Sequence, residues 1–241
     1  MNTSAPLTWS ASLLTHVGKV RRHNEDACLD RSDIGMWCVA DGMGGHAAGD
    51  VASRMVVDRL ARVDRNGSLA ELVEAAESAI LEANDLLFKL STRHNQTSGT
   101  TVVVLLAHGR HCVFVWAGDS RIYRLRDGEI KQMTTDHSQI EAFIEQGLLS
   151  REEARDHPAG NMVTRAVGAA ESLYLDMDID ELAADDCYLL CSDGLDKHVT
   201  SEEIRDILSA SGPADSAQEL VSLTLSRGAA DNVTVAVVAI K

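Results

Sequence analysis

The chain has 241 residues, 45% of them hydrophobic, enough to bury a sizeable core in a single domain spanning residues 1–241. Its formal net charge of −15 repels nucleic acid and anionic membranes, which argues against both as partners. No run of about 18 apolar residues and no charged-then-apolar leader is present, so the expectation is a cytoplasmic monomer without membrane insertion.

In chain order, Met36 to Ala40 reads as a buried strand that ends on Asp41. Ala47 to Val63 and Leu69 to Leu90 place apolar residues at helical spacing and read as two amphipathic helices in succession. Thr101 to Ala107, Cys112 to Trp116, Ile122 to Leu125 and Ile130 to Met133 read as a meander of short strands, with a hairpin turn at Asp127-Gly128. In Leu173 to Leu182, Leu173, Leu175, Met177 and Ile179 alternate with Tyr174, Asp176, Asp178 and Asp180, which predicts an edge strand with a solvated acidic face. The same stretch begins like a calcium loop, but Glu181 stands where glycine is needed and Cys187 where glutamate is needed. Cys187 to Cys191 is a further strand, Glu202 to Leu208 and Ala214 to Ser226 are helices, and Val233 to Ile240 is the last strand. Strand blocks flanked by helix pairs predict an α+β fold of antiparallel sheets covered by helices.

The five cysteines fit a reducing compartment. Cys38, Cys112, Cys187 and Cys191 lie in strand-like runs, where a free thiol packs as a small apolar group, and all five including Cys28 are expected to be buried and structural. Cys187 and Cys191 would stand roughly 13 Å apart on a strand, too far for a disulfide. None is followed six residues later by Arg, so no cysteine nucleophile with a phosphate-binding arginine is available.

Four short aspartate motifs carry the chemistry: Asp41-Gly42-Met43-Gly44-Gly45-His46, Gly118-Asp119-Ser120-Arg121, Ser192-Asp193-Gly194 and Asp231-Asn232. Asp-Gly is first of all a turn signal. Here, however, three aspartates follow buried strands and the fourth precedes one. In an antiparallel sheet the end of one strand lies beside the start of its neighbour, so all four carboxylates can converge on one rim. Converging carboxylates repel unless a cation sits among them, and a set without thiolate or imidazole predicts a hard divalent ion, Mg²⁺ or Mn²⁺.

At these residues the chain resembles the metal-dependent type 2C serine/threonine protein phosphatases. The resemblance runs in order through Gly18 to Asp26, Asp41 to His46, Ser98 to Thr101, Gly118 to Arg121, Thr135 to Ser138, Thr164 to Gly168, Ser192 to Leu195 and Asp231 to Thr234, and the Gly-Met-Gly-Gly-His form resembles the bacterial branch, including phosphatases that serve type VI secretion. It implies a four-layer α/β/β/α sandwich of two antiparallel sheets flanked by helix pairs. It also implies two tightly bound Mn²⁺ or Mg²⁺ ions and a third, weaker one. Asp41 would bridge the pair; the Gly42 carbonyl and Glu25 would complete one shell, Asp193 and Asp231 the other, and Asp119 with Asp193 would serve the third ion. Asp26 would be a water-mediated ligand or a group behind the ligands. Arg21 is the candidate phosphate clamp, because a guanidinium holds two phosphate oxygens at once.

The resemblance further implies that a hydroxide bridging the two ions attacks the phosphomonoester of a phosphoserine or phosphothreonine protein, reversing a bacterial Ser/Thr kinase. The general acid stays open: Met43 stands where better-known eukaryotic relatives carry His, and His46 has three readings, as substrate contact, proton donor or loop contact. His137 and His23 are alternative donors, while Arg121 and Arg165 are read as braces. Residues 137–163 resemble a mobile flap. Two other readings stand beside this one: a metal-dependent phosphatase of small phosphate esters, and a noncatalytic phosphoprotein-binding relative.

Overall fold

A computed structural model describes residues 6–44, 48–64, 67–94, 98–154 and 162–241. One sheet holds, in order, β1 (Trp9–His16), β11 (Val233–Ile240), β10 (Cys187–Cys191), β7 (Arg121–Arg126) and β8 (Glu129–Gln132). The other holds β2 (Asp26–Arg31), β3 (Met36–Gly44), β5 (Val102–His108), β6 (His111–Ala117) and β9 (Asp176–Glu181), with β4 (Ser98–Thr100) paired to the end of β3. Every pairing is antiparallel. The meander and its hairpin stand where the sequence placed them, and Asp127 and Gly128 both have positive φ, as a two-residue hairpin turn requires.

Side chains alternate across each sheet with period two and so feed two cores at once. Met36, Cys38, Val102, Val104 and Val115 face α1 (Ala48–Leu60) and α2 (Leu69–His94) on one outer side. Trp37, Val39, Val103, Leu105 and Phe114 face Tyr188, Leu190, Ala236 and Val238 between the sheets. Leu189, Cys191, Val233, Val235 and Val237 face α6 (Ser201–Ala210) and α7 (Pro213–Ser226) on the other outer side. The result is the four-layer α/β/β/α sandwich. Because helices cover both outer faces, the central strands are apolar throughout rather than alternating.

Three sequence expectations need correction. β1 and β2, absent from the periodicity reading, are the outer strands of their sheets; β1 is half-buried along its length, so neither carries the apolar run of a central strand. β9 is an edge strand as expected, and Leu173 and Leu175 before it pack against the core, but its acidic side is only partly solvated: Asp178 is exposed, whereas Asp180 pairs with Arg124 and Asp176 with Arg165 and His137, and Met177 and Ile179 are 38% and 63% exposed. All five thiols are free, and Cys28 is half-buried rather than buried because β2 is an outer strand.

Candidate metal centre

Asp41 closes the buried part of β3 and stands opposite Asp26 in the register with β2. Its backbone is fixed from both sides. The N–H donates to Thr101 Oγ1 at 3.0 Å, and the carbonyl accepts from the Thr101 N–H and the Thr100 hydroxyl, both at 2.9 Å. The Ser98 to Thr101 motif therefore sets where the Asp41 carboxylate leaves its sheet.

In the other sheet β10 and β11 run antiparallel, with Cys191 opposite Val235. Asp193, just past the end of β10, is thereby brought beside Asp231, just before β11. The crossing is tight: a Cβ on Gly194 would lie 1.8 Å from the Asn232 carbonyl oxygen, so only glycine lets α5 (Asp193–Asp196) close onto that loop. The Asn232 side chain staples the neighbouring loop in turn, donating to Val17 and His23 carbonyls at 2.9 and 3.0 Å and accepting from the Glu25 N–H at 2.8 Å.

Gly42 has a similar role. A Cβ there would stand 2.1 Å from the Gly49 carbonyl oxygen and 2.5 Å from that of Glu25. The missing side chain thus lets the first turn of α1 and the Glu25 loop press onto β3. The Gly42 N–H and the Ser53 hydroxyl both donate to the Glu25 carbonyl, at 3.1 and 2.6 Å.

Asp26 joins the two sheets. Its Oδ2 accepts from Ser192 Oγ at 2.8 Å and Thr234 Oγ1 at 2.7 Å, while Oδ1 is buried without a partner. Burial, followed by the charges of Asp26, Asp193, Asp119 and Asp231, pushes the Asp41 carboxyl well above the ordinary carboxylate range. Burial likewise lifts Asp26 to about 6 and, with Asp193 and Asp136 nearby, Asp119 to about 7. Glu25 is also raised, chiefly by burial. These carboxylates crowd one rim, as their places at strand ends predict, and each is costly to ionise without a cation.

Two side-chain cations lie on that rim. Arg21 Nη2 donates to Asp231 Oδ2 at 2.8 Å, and Lys197 Nζ to Asp193 Oδ2 at 2.5 Å. Among the described residues, no three acidic, imidazole or thiol side chains close into a finished cage. The donor set nevertheless fits a hard divalent ion. The predicted ligands Glu25, Asp41, Gly42, Asp119, Asp193 and Asp231 offer only oxygen, and the buried Oδ1 atoms of Asp26 and, near Glu25, of Asp50 have no partner.

His46 lies outside the described residues. His23 is exposed. His137 is buried with both ring nitrogens engaged: Nδ1 accepts from the Gly118 N–H at 3.1 Å, which leaves Nε2–H to donate to Asp176 at 3.1 Å, and burial lowers its pKa. It also stacks on Trp116 and binds the Gly118 carbonyl through its own N–H, so it holds the turn that carries Asp119. Arg121 binds Asp136, Asp196 and the Tyr123 hydroxyl, and Arg165 binds Asp176, as braces do.

Sequence reasoning gave no role to Asn232, Ser192, Thr234, Gly49 or Lys197. Ser192, Asn232 and Thr234 lie inside recognised motifs, but their partners are distant in the chain; Gly49 and Lys197 carried no signal. A cavity of about 810 Å³ runs from Asp119 and Asp193 between α3 (Gln139–Glu145), α4 (Arg151–Ala154) and the start of α6.

The Protein phosphatase 2C family model matches residues 17–226. The serine/threonine protein phosphatase PstP of Mycobacterium tuberculosis is 37% identical over 222 residues, covering 91% of this chain and 43% of PstP, so this chain spans less than half the length of that relative. Among solved structures, PppA, a key regulatory component of T6SS in Pseudomonas aeruginosa, has a TM-score of 0.91 and 40% identity over 97% of this chain and 98% of its own. The catalytic domain of PstP in complex with 2 manganese ions has a TM-score of 0.87 and 34% identity, over 97% and 99% of the two chains. With the family's motifs on one rim and its sandwich around them, the chain belongs to the protein phosphatase 2C family.

Proposed function

We propose that the chain is a metal-dependent serine/threonine phosphoprotein phosphatase that hydrolyses phosphomonoesters. The observation that carries this reading is the meeting of Asp41 from one sheet with Asp193 and Asp231 from the other, in an all-oxygen surround. Glu25, Asp41, Gly42, Asp193 and Asp231 would hold two Mn²⁺ or Mg²⁺ ions, and Asp119 with Asp193 a third. Such ions, when bound, supply charge for the phosphoryl oxygens and lower the pKa of water.

The chain's own residues set the geometry. Asp41 is locked by Thr100 and Thr101, and Asp26 ties the two carboxylate-bearing sheets together. Arg21 is 54% exposed on its side chain and stands at the rim, where its remaining donors can orient a phosphate and cancel part of its charge. The cavity beyond Asp119 is larger than a phosphate needs, which favours a protein substrate over a small ester. A phosphoprotein modified by a bacterial Ser/Thr kinase, in a pathway of the kind PppA regulates, is the substrate class this reading assigns to a cytoplasmic monomer.

Hydrolysis of a phosphothreonine peptide should need added Mn²⁺ or Mg²⁺ and stop on chelation while far-UV circular dichroism persists. Asp41→Asn and Asp193→Asn should each remove nearly all turnover. Undiminished rates after exhaustive metal removal, or wild-type rates in either variant at saturating Mn²⁺, overturn the reading.

A further inference from the structure

The cavity beside Asp119 and Asp193 has a consistent sign. Among the described residues, six carboxylates line it against three cations, Arg121, Arg151 and Lys197. Two of those cations are committed inward, Arg121 to Asp136 and Asp196, and Lys197 to Asp193. The third, Arg151, lies on α4 at the outer wall. Its side chain is 75% exposed and its guanidinium donates to Glu141 Oε1 at 2.8 Å, whereas the Glu141 side chain on α3 is only 13% exposed. The anion is therefore built into the wall and the cation rests on its surface. With its arginine this exposed, the pair holds that cation weakly, and another cation can take its place.

The rest of the wall matches a peptide carrying a cationic side chain. Ile140, Ile144 and Val199 offer apolar contact for the methylene stem of a Lys or Arg, and Glu202 adds a second carboxylate at the first turn of α6. The whole chain, at −15, draws positively charged segments toward it. The groove also reaches Asp119 and Asp193, so a segment flanking the phosphorylated residue can lie in it.

We infer that this groove selects phosphoproteins bearing an Arg or Lys within a few residues of the phosphorylated one, and that Glu141 is the carboxylate that reads it, with Arg151 as its exchangeable resident partner. This rests on the phosphatase reading above. It assigns a specificity-determining residue and a substrate class, basic-flanked phosphoproteins, to the same site.

The test uses the full chain with Mn²⁺ and a set of phosphothreonine peptides, in which one Arg is walked through an Ala background on both sides of the phosphoresidue. One or two positions should raise kcat/KM about 10-fold over the all-Ala peptide, a gain that shrinks with added salt. Glu141→Gln should erase that ratio, and Arg151→Ala, which removes the competitor, should enlarge it. If Glu141→Gln fails to fold, the Arg151→Ala ratio decides. Hydrolysis of p-nitrophenyl phosphate without any Arg preference, a preference that survives Glu141→Gln, or a ratio that falls in Arg151→Ala overturns the groove's role alone. No hydrolysis of any substrate removes the phosphatase reading and this inference together.

Discussion

Ser192 Oγ donates to Asp26 Oδ2 across the interface between the two sheets, at 2.8 Å and 166 residues apart in sequence. This bond, with its partner from Thr234, holds a buried carboxylate behind the candidate ligands, and the carboxylate's second oxygen has no partner.

The first prediction concerns pH. Asp26 has a folded pKa of about 6 against an ordinary 3.8, so below 3.8 both folded and unfolded chains are protonated there. As pH rises toward 6 the unfolded chain releases its proton first, and folding stability is lost. Asp119 and Asp196, lifted to about 7, act in the same sense, whereas His137, lowered from 6.5, acts oppositely. In chelator, the stability of wild type minus that of Asp26→Asn should therefore fall between pH 4 and 7 by up to about 3 kcal/mol. Denaturant melts of both proteins measure it, and a difference that stays flat with pH would show that Asp26 does not titrate in this window.

The second concerns Arg21, which binds Asp231 and faces solvent. Arg21→Ala should raise KM for a phosphopeptide by about 10- to 150-fold, more than kcat falls, because a contact to phosphate is made in ground and transition states alike. An unchanged KM with a collapsed kcat would assign Arg21 instead to the placement of Asp231.

The third concerns Lys197, 35% exposed on its side chain and paired with Asp193. A divalent ion held by Asp193 would have to share that carboxylate with an ammonium group. Lys197→Met should tighten Mn²⁺ binding about two- to fivefold, the range of a partly exposed ion pair. Titration calorimetry reads this directly, and weaker binding in the variant would mean that Lys197 supports the ion rather than opposing it.

The fourth separates His137 from proton transfer. Removing its ring leaves the buried Gly118 N–H unpaired, so His137→Ala should cost about 1–3 kcal/mol of stability and displace the turn bearing Asp119. His137→Gln, whose amide oxygen can accept from Gly118, should restore most of both stability and turnover. If Gln leaves the protein stable yet as inactive as Ala, the imidazole has a chemical role.

The carboxylate rim was legible because each aspartate sits at the end or start of a buried strand, and antiparallel pairing then fixes which ends meet. The central strands were legible through continuous apolar runs. β1 and β2 were not, since an outer strand that is only half-buried carries no such run. Gly42 was legible only as a carbonyl ligand, whereas the demand for glycine there comes from Gly49 and Glu25, which no local pattern connects to it. Asn232 was visible as a motif letter, while its three side-chain hydrogen bonds reach Val17, His23 and Glu25 at the other end of the chain. Lys197 was missed because its i,i+4 pairing with Asp193 depends on α5, a helix too short to show a periodic run. β9 misled because alternation alone does not say which face looks outward at a sheet edge.

The candidate ligands come from both sheets but only from one end of the sandwich. At that end like charges work against the bonds from Ser192 and Thr234 to Asp26, while further along the layers are held by apolar contacts such as Phe114 against Tyr188. The sandwich should therefore behave as an asymmetric clamshell whose lips part more readily than its spine. Hydrogen exchange should show this as breathing confined to the ends of β3 and β10 and the start of β11, quenched in both layers together when Mn²⁺ is added, with amides near Phe114 unmoved.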